Sequence, residues 1–491
     1  MKKVWAFDLG ASNGRLMVSS FDGNRLGLEE IHRFSNQPTK VMNRYYWDVL
    51  HIINEMKTGM SKSRVKGHGD VESLGIDSWG VDFGLLSSNG EILGNPYCYR
   101  DPYAALGLAE VTKLVGKKEL FFRTGNEPTQ INTLFQLYGI KKNNPMLLEQ
   151  AESLLMTPNL IGYLLSGEKQ NEFTISSTSQ LLSISSQSWD SELINTLGLP
   201  IDIFEPIVKP MTMLGKTLPH INQEVGMSAV NIVNVAGHDT ASALAALPME
   251  GNDSVFMSCG TWVLMGVQMN EPNVSHEAFT YGFTNEGTLD GQYRLLKNNM
   301  GLWLIQQCRF IWEKEGIQTD YIEESRLIEK TKSFQTFIDP DDPLFFNPSN
   351  MVEAVQSYCR NTGQVVPNSR GEILSCILES LALKYRWVVE KLERITDKQW
   401  KKIHMGGGGI QNNLFCQYTS NATGREVIAG PVEASSIGNS IAQWIALGEF
   451  KNLKEARMIV QNSFHTEIYE PMNTANWQEA YEKFLEVTTL K

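Results

Sequence analysis

The sequence predicts an α/β protein of two lobes built on one repeated plan, and three observations predict it. The chain is 491 residues long, more than a single core of ordinary size accommodates, so two large domains are expected. A strand–turn–strand pattern near residue 10 returns near residue 260. Around these two hairpins strand and helix signals alternate, which is the mark of mixed sheets covered by helices.

The first hairpin runs from the apolar strand Val4–Leu9 through Gly10-Ala11-Ser12-Asn13-Gly14-Arg15 into Leu16–Ser20, with a turn at Asp22-Gly23-Asn24. A Walker or Rossmann loop passes from a strand into a helix, whereas here the β-branched pattern continues as a strand. Ser73–Leu86 reads as two strands flanking Trp79-Gly80, and Asn132 stands as a cap before a helix that starts at Thr133. An Ala-rich helix over 239–247 precedes the second hairpin, in which Ser254–Ser258 leads through Cys259-Gly260-Thr261 into Trp262–Val267. Helical spacing returns over Glu372–Lys391, and the strand Lys402–Met405 enters four glycines, Gly406 to Gly409, ahead of a helix near Gln411–Asn413. The division is placed near residue 247, giving domains 1–247 and 248–491.

Composition excludes several classes. With 43 basic against 55 acidic residues the net charge is −12, which argues against a nucleic-acid partner. A nucleotide substrate would then have its phosphates held locally, by backbone N–H groups, a metal ion and one or two arginines. No stretch reaches the ~18 apolar residues of a spanning helix. Asp8 and Gly10 interrupt the first apolar run too early for a signal peptide, so a cytoplasmic protein with no membrane partner is expected. The 6 cysteines contain no CxxC pair, and Cys359 and Cys376, which flank a turn and could come close together, are expected to stay thiols in a reducing compartment.

Four elements carry chemistry. Successive N–H groups from Gly10 to Gly14 can form a concave nest for phosphate oxygens. Asp8, at the strand end, can hold magnesium through water, and Arg15 can neutralise developing charge; a plain turn capped by Asp8 fits the same pattern. Asp239, at a helix N-terminus behind Gly237-His238, suits a base that takes a proton from an attacking hydroxyl. It equally suits an N-cap, and His238 equally suits a structural hydrogen-bonder. Gly260 and Thr261 can present N–H and hydroxyl groups to terminal phosphates, and the glycine run lets a flat group or a phosphate approach bare backbone. Together, order and spacing are similar to the actin-like ATPase plan: two duplicated ribonuclease H-like domains (the actin/hexokinase type) with a catalytic cleft between them.

With these residues in view the chain closely resembles the FGGY family of carbohydrate kinases. The likeness runs through Asp8–Arg15, Gly75–Phe83, Tyr99-Arg100-Asp101, His238–Ala243, Gly260-Thr261-Trp262, Tyr293–Leu304 and Gly430–Ser435. It implies magnesium-dependent transfer of phosphate from ATP to a ketose, L-rhamnulose, at its 1-hydroxyl, with Asp239 as the base. It further implies a sugar site of Gly80, His238, Asp239, Thr240 and Asn298, and an ATP site of Ala11, Ser12, Asn13, Gly14, Arg15, Thr261, Gln306 and Gly408. Gly80, Asn298 and Gln306 enter through the resemblance alone. Asn13 stands where the family usually has Ser or Thr, Cys259 where Ser is common, and Gly406 extends a run usually of three. Cys259 in the phosphate hairpin is expected to confer sensitivity to thiol reagents. Transfer to a sugar rather than water calls for closure of the lobes over the ketose.

Other readings remain at this stage. L-fuculose or a pentulose would need only a different pocket shape. An actin-like chaperone would need an added peptide-binding domain, and a filament subunit would not need His238-Asp239-Thr240. A sugar-responsive regulator would carry a helix-turn-helix ahead of the strand that starts at about residue 4. Either a monomer or a dimer fits.

Overall fold

A computed structural model describes residues 1–250 and 253–490. The chain forms two compact units, each assembled from three segments. Unit 1 comprises Met1–Pro248, Gln268–Leu295 and Ala434–Ser463; unit 2 comprises Met249–Val267, Leu296–Glu433 and Phe464–Lys491.

Unit 1 is organised by six strands: β1 (Lys2–Leu9), β2 (Asn13–Phe21), β3 (Leu26–Ser35), β4 (Ser73–Ser78), β5 (Thr212–Lys216) and β6 (Asn231–Asn234). Their order in the sheet is β5-β6-β4-β1-β2-β3. β1 pairs antiparallel with β2 and parallel with β4; β4 pairs parallel with β6, and β5 closes the edge antiparallel. Every residue of β1 from Val4 to Leu9 is buried, which explains its unbroken apolar run: a central strand covered on both faces shows no alternation. The helix Val49–Val65 covers one face with Ile52, Met56 and Met60, spaced four apart so that they share one stripe. Its cap, Asp48, accepts the His51 N–H.

The opposite cover is the helix Ala434–Ala446, far away in sequence. Gln443 donates to the Trp5 carbonyl at 2.8 Å and accepts from Ser73 Oγ at 2.7 Å. Gly438 lets this helix meet the helix Asp239–Ala246 backbone to backbone: a Cβ there would lie 1.7 Å from the Ser242 carbonyl oxygen. The segment Gln268–Leu295 is tied into unit 1 by Asn126 Nδ2 on Thr284 Oγ1 (3.0 Å), by Gly287 N–H on Ser177 Oγ (2.8 Å) and by Tyr293 Oη on the Ile184 carbonyl (2.8 Å).

Unit 2 repeats the plan with β7 (Ser254–Cys259), β8 (Trp262–Met269), β9 (Tyr293–Met300), β10 (Lys402–Gly406), β11 (Glu426–Ala429) and β12 (Glu467–Tyr469), in the order β9-β8-β7-β10-β11-β12, with a seventh strand, Thr284–Gly287, at the edge beyond β9. The far ends of β8 and β9 count with unit 1. The pairings match as well: a hairpin β7–β8, then β7–β10 and β10–β11 parallel, then an antiparallel edge β12. The long helix Arg370–Thr396 starts behind a capping box of Ser369 and Glu372. The echo heard between residues 10 and 260 is therefore a duplicated sheet.

One local expectation changes and one holds. Asn132 is the cap residue before Thr133–Asn143, but its Oδ1 accepts from the N–H and hydroxyl of Thr129 rather than from the helix. Cys359 and Cys376 are buried free thiols, as expected. Among the described residues no helix is long and apolar enough to cross a membrane.

Candidate active site

In unit 1 the end of β1 places Asp8 opposite Arg15 on β2 and opposite Asp77 on β4. Arg15 donates to Asp8 Oδ2 from Nε (3.1 Å) and Nη2 (2.7 Å), and Ser436 Oγ adds a third donor at 3.1 Å. Asp77 is fully buried; one oxygen takes Asn439 Nδ2 at 2.6 Å and the other meets no donor. Burial, then the charge of Asp8, holds the Asp77 carboxyl well above the ordinary range. Sequence reasoning passed over Asp77, whose significance lies in the strand register.

The loop after β1 is narrower as a nest than Gly10 to Gly14 suggests. The Gly10 N–H turns inward to the Asn13 carbonyl at 2.9 Å. Asn36 holds the far side through its N–H to the Ser12 carbonyl (3.1 Å) and its Nδ2 to the Gly10 carbonyl (2.8 Å). Asn13 Oδ1 accepts from Arg33 Nη1 at 3.0 Å. Ala11, Ser12 and Asn13 at the tip keep exposed surface. Gly14 is required by crowding, since a Cβ would sit 2.2 Å from the Phe34 ring.

Gly80 lies on a loop under strain. Val81, β-branched, holds φ 70°, a conformation kept only where neighbours enforce it. Here Thr178 Oγ1 accepts the Val81 N–H at 3.0 Å and Thr133 Oγ1 donates to its carbonyl at 2.6 Å. Beneath, Asp82 accepts from the indoles of Trp47 (2.5 Å) and Trp79 (2.9 Å), the Tyr99 N–H (3.2 Å) and Gln136 (2.8 Å). Burial still outweighs these donors and pushes its carboxyl up to about 6.

His238, Asp239 and Thr240 converge on Gly80. His238 occupies the cap position of the helix Asp239–Ala246 and Asp239 is its first helical residue, with no side-chain capping bond at that end; the N-cap alternative for Asp239 is set aside. His238 Nε2 lies 3.6 Å from Asp239 Oδ1 and 3.3 Å from Thr240 Oγ1. A Cβ on Gly80 would lie 3.3 Å from the same Nε2, so the glycine leaves open the space that nitrogen faces. Asp239 keeps 26% of its side chain exposed. Burial pushes its carboxyl up to about 6; His238 pulls it down and Asp8 adds to the rise.

Three buried charges behind this loop were invisible to motif reading. Glu172 Oε2 accepts the Gly237 N–H at 3.0 Å and the Thr174 hydroxyl at 2.7 Å, and Thr174 Oγ1 in turn accepts the His238 N–H at 3.2 Å. Burial raises Glu172 to about 7 against those donors. Arg294 Nη2 donates to Glu286 Oε2 at 2.6 Å and reaches His238 Nδ1 at 2.6 Å. Burial works to raise Glu286, but the Arg294 guanidinium leads the causes that overcome it and bring the carboxyl down to about 2. The sequence signal available was an arginine set among apolar neighbours, Tyr293-Arg294-Leu295-Leu296.

In unit 2 the β7–β8 turn packs on glycines. A Cβ on Gly301 would lie 2.8 Å from the Thr261 carbonyl oxygen, and one on Gly407 (φ 93°) 2.8 Å from that of Cys259. This brings Thr261 and the Gly407–Gly409 loop beside the end of β7, with Gly408 exposed. Asn298 on β9 and Gln306 on the helix Trp303–Lys314 are both exposed. Cys259 is 2% exposed and burial holds its thiol well above the ordinary range. The expectation of thiol sensitivity is therefore corrected: the thiolate that would react is suppressed.

Among the described residues no group of three or more His, Cys, Asp or Glu can hold a metal ion directly. Asp8, with Oδ2 taken by Arg15 and Ser436, offers its other oxygen, a donor set that fits magnesium held through water.

Residues 4–246 match the N-terminal domain, and residues 255–447 the C-terminal domain, of the FGGY family of carbohydrate kinases. The chain is 38% identical over 483 residues to a rhamnulokinase of Bacteroides thetaiotaomicron, covering 98% of this chain and 99% of that protein. It is 40% identical to a rhamnulokinase of Halalkalibacterium halodurans, covering 94% and 98%. Among solved structures, xylulose kinase from Lactobacillus acidophilus matches with TM-score 0.81 at 14% identity, covering 99% of this chain and 98% of that one. Glycerol kinase of Plasmodium falciparum with ADP matches at 0.80 and 13%, covering 100% and 99%. The chain belongs to the FGGY family of carbohydrate kinases.

Proposed function

We propose that the chain transfers the γ-phosphoryl group of ATP to the 1-hydroxyl of L-rhamnulose, giving L-rhamnulose 1-phosphate and ADP in L-rhamnose catabolism in the cytoplasm. The substrate reading is supported by the near-full-length identity to rhamnulokinases. The observation that carries the choice of base is the Asp239 carboxylate, the first residue of its helix, partly exposed and 3.6 Å from the His238 Nε2 that faces Gly80.

In this reading residues 1–247 form the N-terminal, sugar-binding domain and 248–491 the C-terminal, nucleotide-binding domain, each also lending residues to the other ligand. Gly80, His238, Thr240 and Asn298 orient the ketose, and the hydroxyl proton passes to Asp239 as the O1–Pγ bond forms and the bond from Pγ to the bridging β–γ oxygen breaks. The transition state is loose, so positioning contributes more than covalent help. Ala11 to Arg15, Thr261, Gln306 and Gly408 hold ATP. A magnesium ion held through water at Asp8 would supply charge neutralisation on the phosphates.

The test is coupled ADP release with ATP, magnesium and a panel of ketoses, run beside Asp239→Asn. Preference for L-rhamnulose, lost in the variant, supports both assignments. Preference for L-fuculose or a pentulose keeps the base and overturns the sugar. Ketose-dependent turnover undiminished in Asp239→Asn overturns the base.

A further inference from the structure

We infer that Arg294, with Glu286, is a positioning pair that fixes His238 with its ring proton on Nε2, so that it donates a hydrogen bond to the ketose in the space beside Gly80 and Asp239. The role in sugar binding rests on the kinase reading above; the tautomer does not.

Two close neighbours make opposite demands on His238 Nδ1, while the Thr240 hydroxyl, 3.4 Å away, can either donate or accept. Arg294 Nη2 stands 2.6 Å away and Glu286 Oε2 stands 3.1 Å away. A guanidinium has no acceptor, so a proton on Nδ1 would set one N–H against another at the shorter distance. The Glu286 oxygen, which would welcome that proton, is instead satisfied by the same Nη2 at 2.6 Å. Nδ1 is therefore the acceptor and the proton resides on Nε2, the nitrogen that faces the Gly80 gap.

The arrangement is held against an energetic penalty. Arg294 is 0% exposed, and its Nε and Nη1 meet no acceptor. A buried cation with unsatisfied donors opposes folding, so packing alone does not account for it. With no surface of its own, Arg294 acts through His238. The consequence for specificity is chemical. A fixed Nε2–H requires an oxygen lone pair on the sugar at that place, and it leaves Asp239 as the group there that accepts the hydroxyl proton.

The first experiment is nitrogen-15 NMR of the full chain with labelled histidine, the His238 signals being assigned by their loss in His238→Gln. A bare Nδ1 and a protonated Nε2 are expected; a protonated Nδ1 overturns the inference. The second is ketose and ATP kinetics for Arg294→Lys and Arg294→Met. The lysine, still a donor, should hold the ketose KM within a few-fold, whereas the methionine should raise it about tenfold, the weight of one hydrogen bond, with the ATP KM unmoved. Should Arg294→Met fail to fold around the unpaired Glu286, Arg294→Met/Glu286→Leu removes both charges and carries the same expectation. A wild-type ketose KM in the folded variant lacking the pair overturns the role. The expected tautomer in a protein inactive on every ketose supports the tautomer while the kinase reading falls.

Discussion

Proton acceptance by Asp239 gives the most direct quantitative test. Its carboxyl is raised to about 6, chiefly by burial, and the form that accepts a proton is the carboxylate, so turnover should rise with pH through that value. At pH 7 roughly nine molecules in ten then carry the charged form, and at pH 5 about one in eleven, a fall of about tenfold in kcat/KM over that span. An ordinary aspartate would lose little over the same range. The assay is kcat/KM for ketose at saturating ATP from pH 5 to 8, with protein integrity followed at each pH. Asp239→Asn should lie about 10²- to 10⁴-fold lower and lose the acid limb. That control matters because Asp82 also titrates near 6. An inflection near 4, or an acid limb that survives in Asp239→Asn, would refute the assignment.

Gly80→Ala puts a Cβ 3.3 Å from His238 Nε2 and 3.3 Å from Thr178 Cγ2; the ketose KM should rise about tenfold or more by displacement of the sugar, with the ATP KM and melting temperature little changed. In unit 2, Glu379 accepts from the Phe334 N–H (2.9 Å) and Ser375 Oγ (3.0 Å), and burial raises it to about 7. A carboxyl raised on folding contributes stability below its unfolded value that is lost as pH climbs through the folded one. Glu379→Gln satisfies both partners without a charge and should be near neutral at pH 5 but stabilising by about 1–3 kcal/mol at pH 8, read from chemical denaturation at the two pH values. For Cys259, buried with its thiol held well above the ordinary range, native protein should resist iodoacetamide while unfolded protein is labelled, scored by peptide mass spectrometry; rapid native labelling would contradict the burial.

What the sequence disclosed was whatever short-range pattern encodes. The hairpins at β1–β2 and β7–β8 fall where apolar runs and glycines put them, and the strand pair around Trp79-Gly80 follows from the same period. Asp239 was singled out because a helix start is legible. Glu172 and Glu286 were not, since nothing local distinguishes a buried charge from a solvated one, and the apolar neighbours of Arg294 hint at burial without naming a partner; the partners lie 65, 8 and 56 positions away. The nest was overstated because Gly10 bonds within its own turn, a detail of backbone geometry that composition does not carry. Sensitivity at Cys259 was misjudged for the same reason: exposure belongs to the tertiary structure.

The helix Ala434–Ala446 has a consequence for how the chain is made. It delivers Ser436 to Asp8, Asn439 to Asp77 and Gln443 to the Trp5 carbonyl, and all of those acceptors are synthesised within the first 77 residues. On the ribosome the earliest strands thus wait for nearly nine-tenths of translation before their outer face is covered. During that interval Asp77 lacks its donor, Asp8 has Arg15 alone, and an apolar sheet surface stands uncovered, an opening for chaperones. A chain broken anywhere before this helix lacks a segment of its first unit and the groups that pair with Asp8 and Asp77.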